Sequence, residues 1–155
     1  GIHKRYERFT VDDKAAPVIA MQNWHDVLDS LIMCKFAIVP PASVVAMLSM
    51  ATGWDIKLPE VVQAGERAYN LKRLINIRYG MTRRDDTLPK RILTEPLQDG
   101  GSRGMVVELD RMLPDYYRIR GWDAGGVPSP EKLKELGLPG RHGLYVPDLQ
   151  NGSGL

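Results

Sequence analysis

From Pro59 to Tyr79 the chain sets Val61, Ala64, Ala68, Leu71, Ile75 and Tyr79 at intervals of three and four residues, and Gly80 then breaks the run. That spacing lines up one apolar stripe along a long helix, opened by a proline and closed by a left-handed glycine cap. The next stretch, 81–104, has no such period. Arginines, lysines and aspartates crowd it, with Pro89, Pro96 and Gly100-Gly101 as punctuation, so it predicts an irregular arm. A long helix followed by a long loop without a ladder dictates a particular solution: side chains must satisfy the arm's backbone.

The other segments also read as helices. Asp12 or Asp13 caps a first helix in which Pro17 falls in the opening turns and Met21, Trp24, Leu28 and Leu31 form a stripe. Pro40-Pro41 ends that segment. A second helix, from Pro41 to Thr52, is apolar almost all round through Val44, Val45, Met47, Leu48 and Met50, and stops at Gly53. A short helix without a polar face is expected at the centre of the fold. A fourth runs from about Asp110 to Arg120 and ends at Gly121; a fifth starts at Ser129-Pro130-Glu131 and ends at Gly137. The one strand candidate is Met105–Leu109. The expected fold is all-α, one domain over 1–155: a helical body over about 13–80, the arm and C-terminal helices over 81–138, and a glycine-rich tail over 139–155.

Composition narrows the function classes only modestly. The balance of 21 basic and 19 acidic residues leaves a net charge of +2 and gives no case for nucleic acid. The single cysteine rules out an internal disulfide and points to a reducing cytoplasm. The apolar run Leu31–Val39 is broken by Lys35 and stopped by proline, far short of the ~20 residues a bilayer demands, so no membrane partner is expected. A chain beginning with glycine reads as a domain cut from a longer protein.

Cys34 is the residue on which any metal chemistry turns. A lone cysteine in an apolar run is ordinarily a small buried hydrophobe. One thiolate cannot hold a [4Fe–4S] cluster, which takes four ligands. His25, four residues before Asp29, could pair with it on a helix, or could lie with it on a plain surface. Arg73, Arg78, Arg83, Arg84, Lys90 and Arg91 alternate with Glu66, Asp85, Asp86 and Glu95. They fit either a docking patch or an internal scaffold, and the mixed signs favour the scaffold. Trp122 and Asp123 read as structural.

Several separated motifs resemble one family. The run Gly65–Pro96, the segment Asp29-Ser30-Leu31-Ile32-Met33-Cys34-Lys35-Phe36, and Leu113-Pro114-Asp115-Tyr116-Tyr117 with Arg120-Gly121-Trp122-Asp123 are similar to the C-terminal domain of the tungsten-containing aldehyde ferredoxin oxidoreductases. The resemblance spans roughly residues 13 to 138. It implies a parent enzyme that oxidises a small aldehyde to a carboxylate at a tungsten (or molybdenum) bis-pterin centre and passes electrons through a [4Fe–4S] cluster to ferredoxin. It implies Asp29 as a pterin contact and Cys34 as the fourth cluster ligand, the other three lying upstream with the catalytic residues. No catalytic residue is therefore assigned in this chain, and no cofactor is expected on it in isolation; its partners would be the parent's N-terminal domains. The alternative is a non-catalytic helical interaction module that kept the fold. One departure matters: the best-known family motif has Gly-Leu before the cysteine, where this chain has Ile32-Met33. A β-branched residue resists the left-handed turn that glycine allows. A helix unbroken through Cys34 would point it ~140° away from Asp29.

Overall fold

The computed structural model describes residues 6–140. Among them are six α-helices, α1 (Ala15–Ser30), α2 (Pro41–Thr52), α3 (Leu58–Arg78), α4 (Lys90–Thr94), α5 (Leu109–Arg120) and α6 (Pro130–Glu135). Two 3-10 turns, Lys35–Ala37 and Arg83–Asp85, complete the regular structure. The fold is all-α. Met105–Leu109 forms no strand; of the described residues only Leu97 with Arg103 and Trp122 with Pro128 make isolated bridges. Beyond Gly140, the tail assigned to 139–155 lies outside the described residues.

The body is built on α1 crossing α3, with α5 laid against α1 and α2 against α3. The crossing is close because Gly65 sits at it. A Cβ there would come 2.1 Å from the Asn23 carbonyl oxygen and 2.8 Å from Val27, so the two backbones touch with no side chain between them. Glu60 returns to the Lys57 amide to cap α3, and Ser129 accepts from the Lys132 amide to cap α6.

The faces that pack differ from the expected stripes. On α3 the buried residues are Val61, Gly65, Asn70, Arg73, Leu74 and Ile77, while Ala64 and Tyr79 are exposed. On α1 they are Ala15, Ile19, Asn23, Asp26, Val27 and Leu28, and Met21 faces outward. Both helices are rotated from the apolar reading because polar side chains occupy the core face. Asn23, Asn70 and Arg73 find hydrogen-bond partners there, while Asp26 accepts from Lys72 through one oxygen and its other oxygen has no partner among the described residues. Lys14, rather than Asp12 or Asp13, holds the N-cap position of α1. The second helix is also corrected: α2 buries only Val44 and leaves Met47, Met50 and the following Trp54 exposed. It packs on α3 along one side, so its remaining apolar surface has no cover within the described residues.

Candidate functional site

Four helices end in the same way. In α3 the Gly80 amide donates to the Ile77 carbonyl and the Met81 amide to Asn76; α5 and α6 repeat this pair of bonds through Gly121 and Gly137. In α1 the Ile32 amide donates to Asp29 at 3.1 Å and the Met33 amide to Leu28 at 2.8 Å. This is the Schellman pattern, whose turning residue must be left-handed. Three of the four turns use glycine; the turn before Cys34 uses Ile32, at φ 56°. A second isoleucine, Ile38, is also left-handed at φ 45°. Such backbone costs a β-branched residue on the order of 1–3 kcal/mol. The helix thus ends at Ser30, and the glycine-like turn is made despite the side chain that resists it.

The consequence is a short loop that leaves the body. Cys34 is extended, at φ −66° and ψ 122°, and exposed, which overturns its reading as a buried hydrophobe. Around it Ile32, Phe36 and Ile38 are 94%, 93% and 87% exposed. Asp29, on the last turn of α1, accepts from Lys35 at 3.0 Å through one carboxylate oxygen. The ion pair spans the turn that carries Cys34, and it replaces the possible pairing of Asp29 with His25. Both side chains are about half exposed, so the pair itself contributes little stability.

The arm is held by a buried guanidinium. Arg73 clasps Asp86 through two bonds of 2.7 and 2.6 Å, donates to the Gly126 carbonyl at 2.8 Å, and lies over the Trp122 ring at 4.8 Å. Tyr117 donates to the same Asp86 carboxylate. Burial, followed by that hydrogen bond, pushes the Tyr117 hydroxyl up to about 12. Gly126 lies so close that a Cβ would meet Arg73 at 2.4 Å. Arg83 reaches Asp110 and the Asp86 carbonyl at 3.4 Å, and Glu66 meets Lys132 of α6 at 3.2 Å. The scaffold reading of the charged arm holds for these residues. Trp122 is buried and donates to Asn70 at 2.7 Å, and Asp123 caps its own turn by accepting from Gly125 and Val127.

One residue of the core went unassigned in the sequence. Arg120 is wholly buried and is satisfied by neutral partners: Asn23 at 2.6 Å, Gln22 at 2.7 Å and the Tyr116 hydroxyl at 3.2 Å. Its guanidinium also stacks over Tyr69 at 3.8 Å. Burial, then the bond to Tyr116, pushes the Tyr69 hydroxyl well above its ordinary range. This network joins α5 to α1 and α3. A groove of about 820 Å³ opens between the 8–11 segment and Ile92, Leu97 and Met105, and neither Asp29 nor Cys34 lines it.

Among the described residues no group of three or more His, Cys, Asp or Glu could hold a metal ion. The donor set at the loop is one exposed thiol and one exposed carboxylate. That set fits a cluster only as a single contributed ligand. No helix of the described residues is long and apolar enough to cross a membrane.

Fold and loop together define an all-α domain that presents an exposed cysteine turn after its first helix. The family model for aldehyde ferredoxin oxidoreductase, domains 2 and 3, matches residues 1–138, and the chain belongs to that family. It is 42% identical over 130 residues to the tungsten-containing aldehyde ferredoxin oxidoreductase of Pyrococcus horikoshii, covering 82% of this chain and 21% of that protein. The Pyrococcus furiosus protein of the same description is 40% identical over 130 residues, with 82% and 22% covered. A more distant relative, 29% identical over 121 residues, is the aliphatic sulfonate oxidoreductase WOR-like subunit of P. furiosus, with 71% and 19% covered. The chain therefore spans about a fifth of the length of the curated relatives it matches. Among solved structures, the active site complex BamBC of benzoyl coenzyme A reductase in complex with 1,5-dienoyl-CoA shares the fold. Its TM-score is 0.70 at 23% identity, over 89% of this chain and 21% of that one.

Proposed function

We propose that this chain is the C-terminal helical part of an aldehyde-oxidising enzyme, to which it contributes Cys34 as one thiolate ligand of a [4Fe–4S] cluster and Asp29 as an acceptor for pterin N–H groups. When bound, a tungsten pterin centre would supply the two-electron oxidation of an aldehyde and water to a carboxylate, and a [4Fe–4S] cluster would supply one-electron transfer toward ferredoxin. The observation that carries the reading is the left-handed turn at Ile32. It stops α1 one residue past Asp29 and brings Cys34 out of the helix on the far side of a single turn. An unbroken helix would have sent the two side chains to different faces.

The remaining chemistry of the loop is consistent. Lys35 occupies one oxygen of Asp29, and a carboxylate has further lone pairs for N–H donors. Among the described residues no group hydrogen-bonds the Cys34 sulfur, so none would have to be displaced before it bound iron. Asp29 and Cys34 thus have separable roles, and mutation of the full-length protein tests them. Cys34→Ser should shift or abolish the cluster's electron paramagnetic resonance signal, because a hard alkoxide replaces a soft thiolate. Asp29→Ala should keep that signal while pterin content falls. An unchanged cluster spectrum in Cys34→Ser would refute the ligand assignment.

A further inference from the structure

Three large apolar side chains surround Cys34 within four residues on either side, and none of them has cover. Ile32, Phe36 and Ile38 are each at least 87% exposed, whereas surface hydrophobes of a settled fold are usually scattered singly. Two of the three also sit in left-handed backbone that their β-branched side chains disfavour. A folded chain acquires no benefit from strain that exhibits isoleucine to water. The strain becomes intelligible if the loop is seated against another surface, where these side chains leave water together. The described residues do not provide that surface, and they supply one thiolate where a cluster takes four.

Resting on the reading of Cys34 as a cluster ligand, we infer that Ile32, Phe36 and Ile38 form an apolar collar. It seats on the part of the full-length protein that carries the other cluster ligands and excludes water from the iron. Two facts select that occupant over a second copy or a soluble carrier. The curated relatives are about five times longer than the matched segment, so there is ample polypeptide to supply it. The missing ligands must also bind the other irons of the same cluster, so the polypeptide that carries them comes up to Cys34, and the collar flanks that sulfur on both sides in sequence. The collar then acts on the cluster through its surroundings. A dry, apolar shell disfavours added charge on the cluster and sets its reduction potential. These residues are positioning and shielding groups rather than catalytic ones.

The test uses the full-length, cluster-loaded protein and reads the cluster itself. In Phe36→Ser, a redox titration followed by electron paramagnetic resonance should place the cluster midpoint at a more positive potential. After exchange into D2O, its reduced signal should gain deuteron couplings that the unsubstituted protein lacks. Phe36→Leu should restore both toward the original, since it returns the apolar surface without the ring. Iron content should stay at the unsubstituted level throughout. If Phe36→Ser does not assemble, Ile38→Thr carries the same expectation in smaller degree. Unchanged potential and unchanged deuteron couplings in the polar variants, with Cys34→Ser still altering the cluster spectrum, overturn the collar and leave the ligand assignment standing. If Cys34→Ser is also silent, the ligand assignment fails and the collar with it.

Discussion

At the end of α3 the chain turns through Gly80, and the arm that follows is gathered back at once by Arg73, Asp86 and Tyr117. At the end of α1 it turns by the same two hydrogen bonds through Ile32, and the loop that follows touches little and points its largest apolar side chains into solvent. One turn is unstrained and leads into a self-satisfied interior; the other is strained and leads outward. The difference separates what this chain needs in order to fold from what it holds ready for something else. Substitutions around Arg73 should therefore be felt in stability, and those around Ile32 in the assembled protein.

The largest effect should come from Arg73→Ala. Removing the guanidinium strands the half-buried Asp86 and frees the arm, a loss on the order of 3–5 kcal/mol, read as a lower midpoint in urea. Arg73→Lys should recover little, because an ammonium supplies neither the two-pronged clasp nor the stack on Trp122. Gly65→Ala comes next. The added methyl would drive against the Asn23 carbonyl, and a backbone that has to move costs about 3 kcal/mol.

Alkaline titration probes the same interior more gently. The Tyr117 hydroxyl is held up to about 12 in the folded chain, against about 10 when unfolded. Its contribution is complete below pH ~10 and is lost as pH rises from there through the folded value, worth roughly 2 kcal/mol. Thermal melts of Tyr117→Phe should lack that part of the decline.

The two turns themselves can be exchanged. Gly80→Ala should destabilise by about 1 kcal/mol, the ordinary penalty of a Cβ in left-handed backbone. Ile32→Gly should do the reverse and stabilise by up to about 1 kcal/mol, after the freedom glycine adds to the unfolded chain is subtracted. If Ile32→Gly instead lowers the urea midpoint, the contrast drawn between the two turns is broken. Smallest of all, Lys35→Met should change stability by no more than about 0.2–1 kcal/mol, as an exposed pair does, and double-mutant analysis with Asp29→Asn would measure it.

Much of this architecture could be read before any coordinate. Proline and glycine punctuation located α2 at Pro41–Thr52 and α3 to within a residue at each end, because those residues act through local backbone sterics. The rotation of the helices was not legible. Periodicity counts Asn70 and Arg73 as surface, yet both face inward, since their partners Trp122 and Asp86 come from distant parts of the chain. Arg120 was given no buried role for the same reason. The apolar girth of α2 was misread as burial because hydropathy records what a surface is, and says nothing of whether this chain covers it. At the candidate site, the Asp29–Cys34 spacing was visible through family resemblance. The left-handed turn between them was not, because Ile32 argues against the conformation it adopts.

The contact between Gly65 and the Asn23 carbonyl has a mechanical consequence. Where two helices meet through side chains, the joint can compress and swivel; here it is backbone on backbone, a bearing with no padding. Asp29 lies six residues beyond Asn23, about 9 Å along the axis at ~1.5 Å per residue. The outer end of α1 is thus a short, stiff lever, and Asp29 on its last turn is held in place relative to the body. In this chain one absent side chain, that of Gly65, provides the fulcrum.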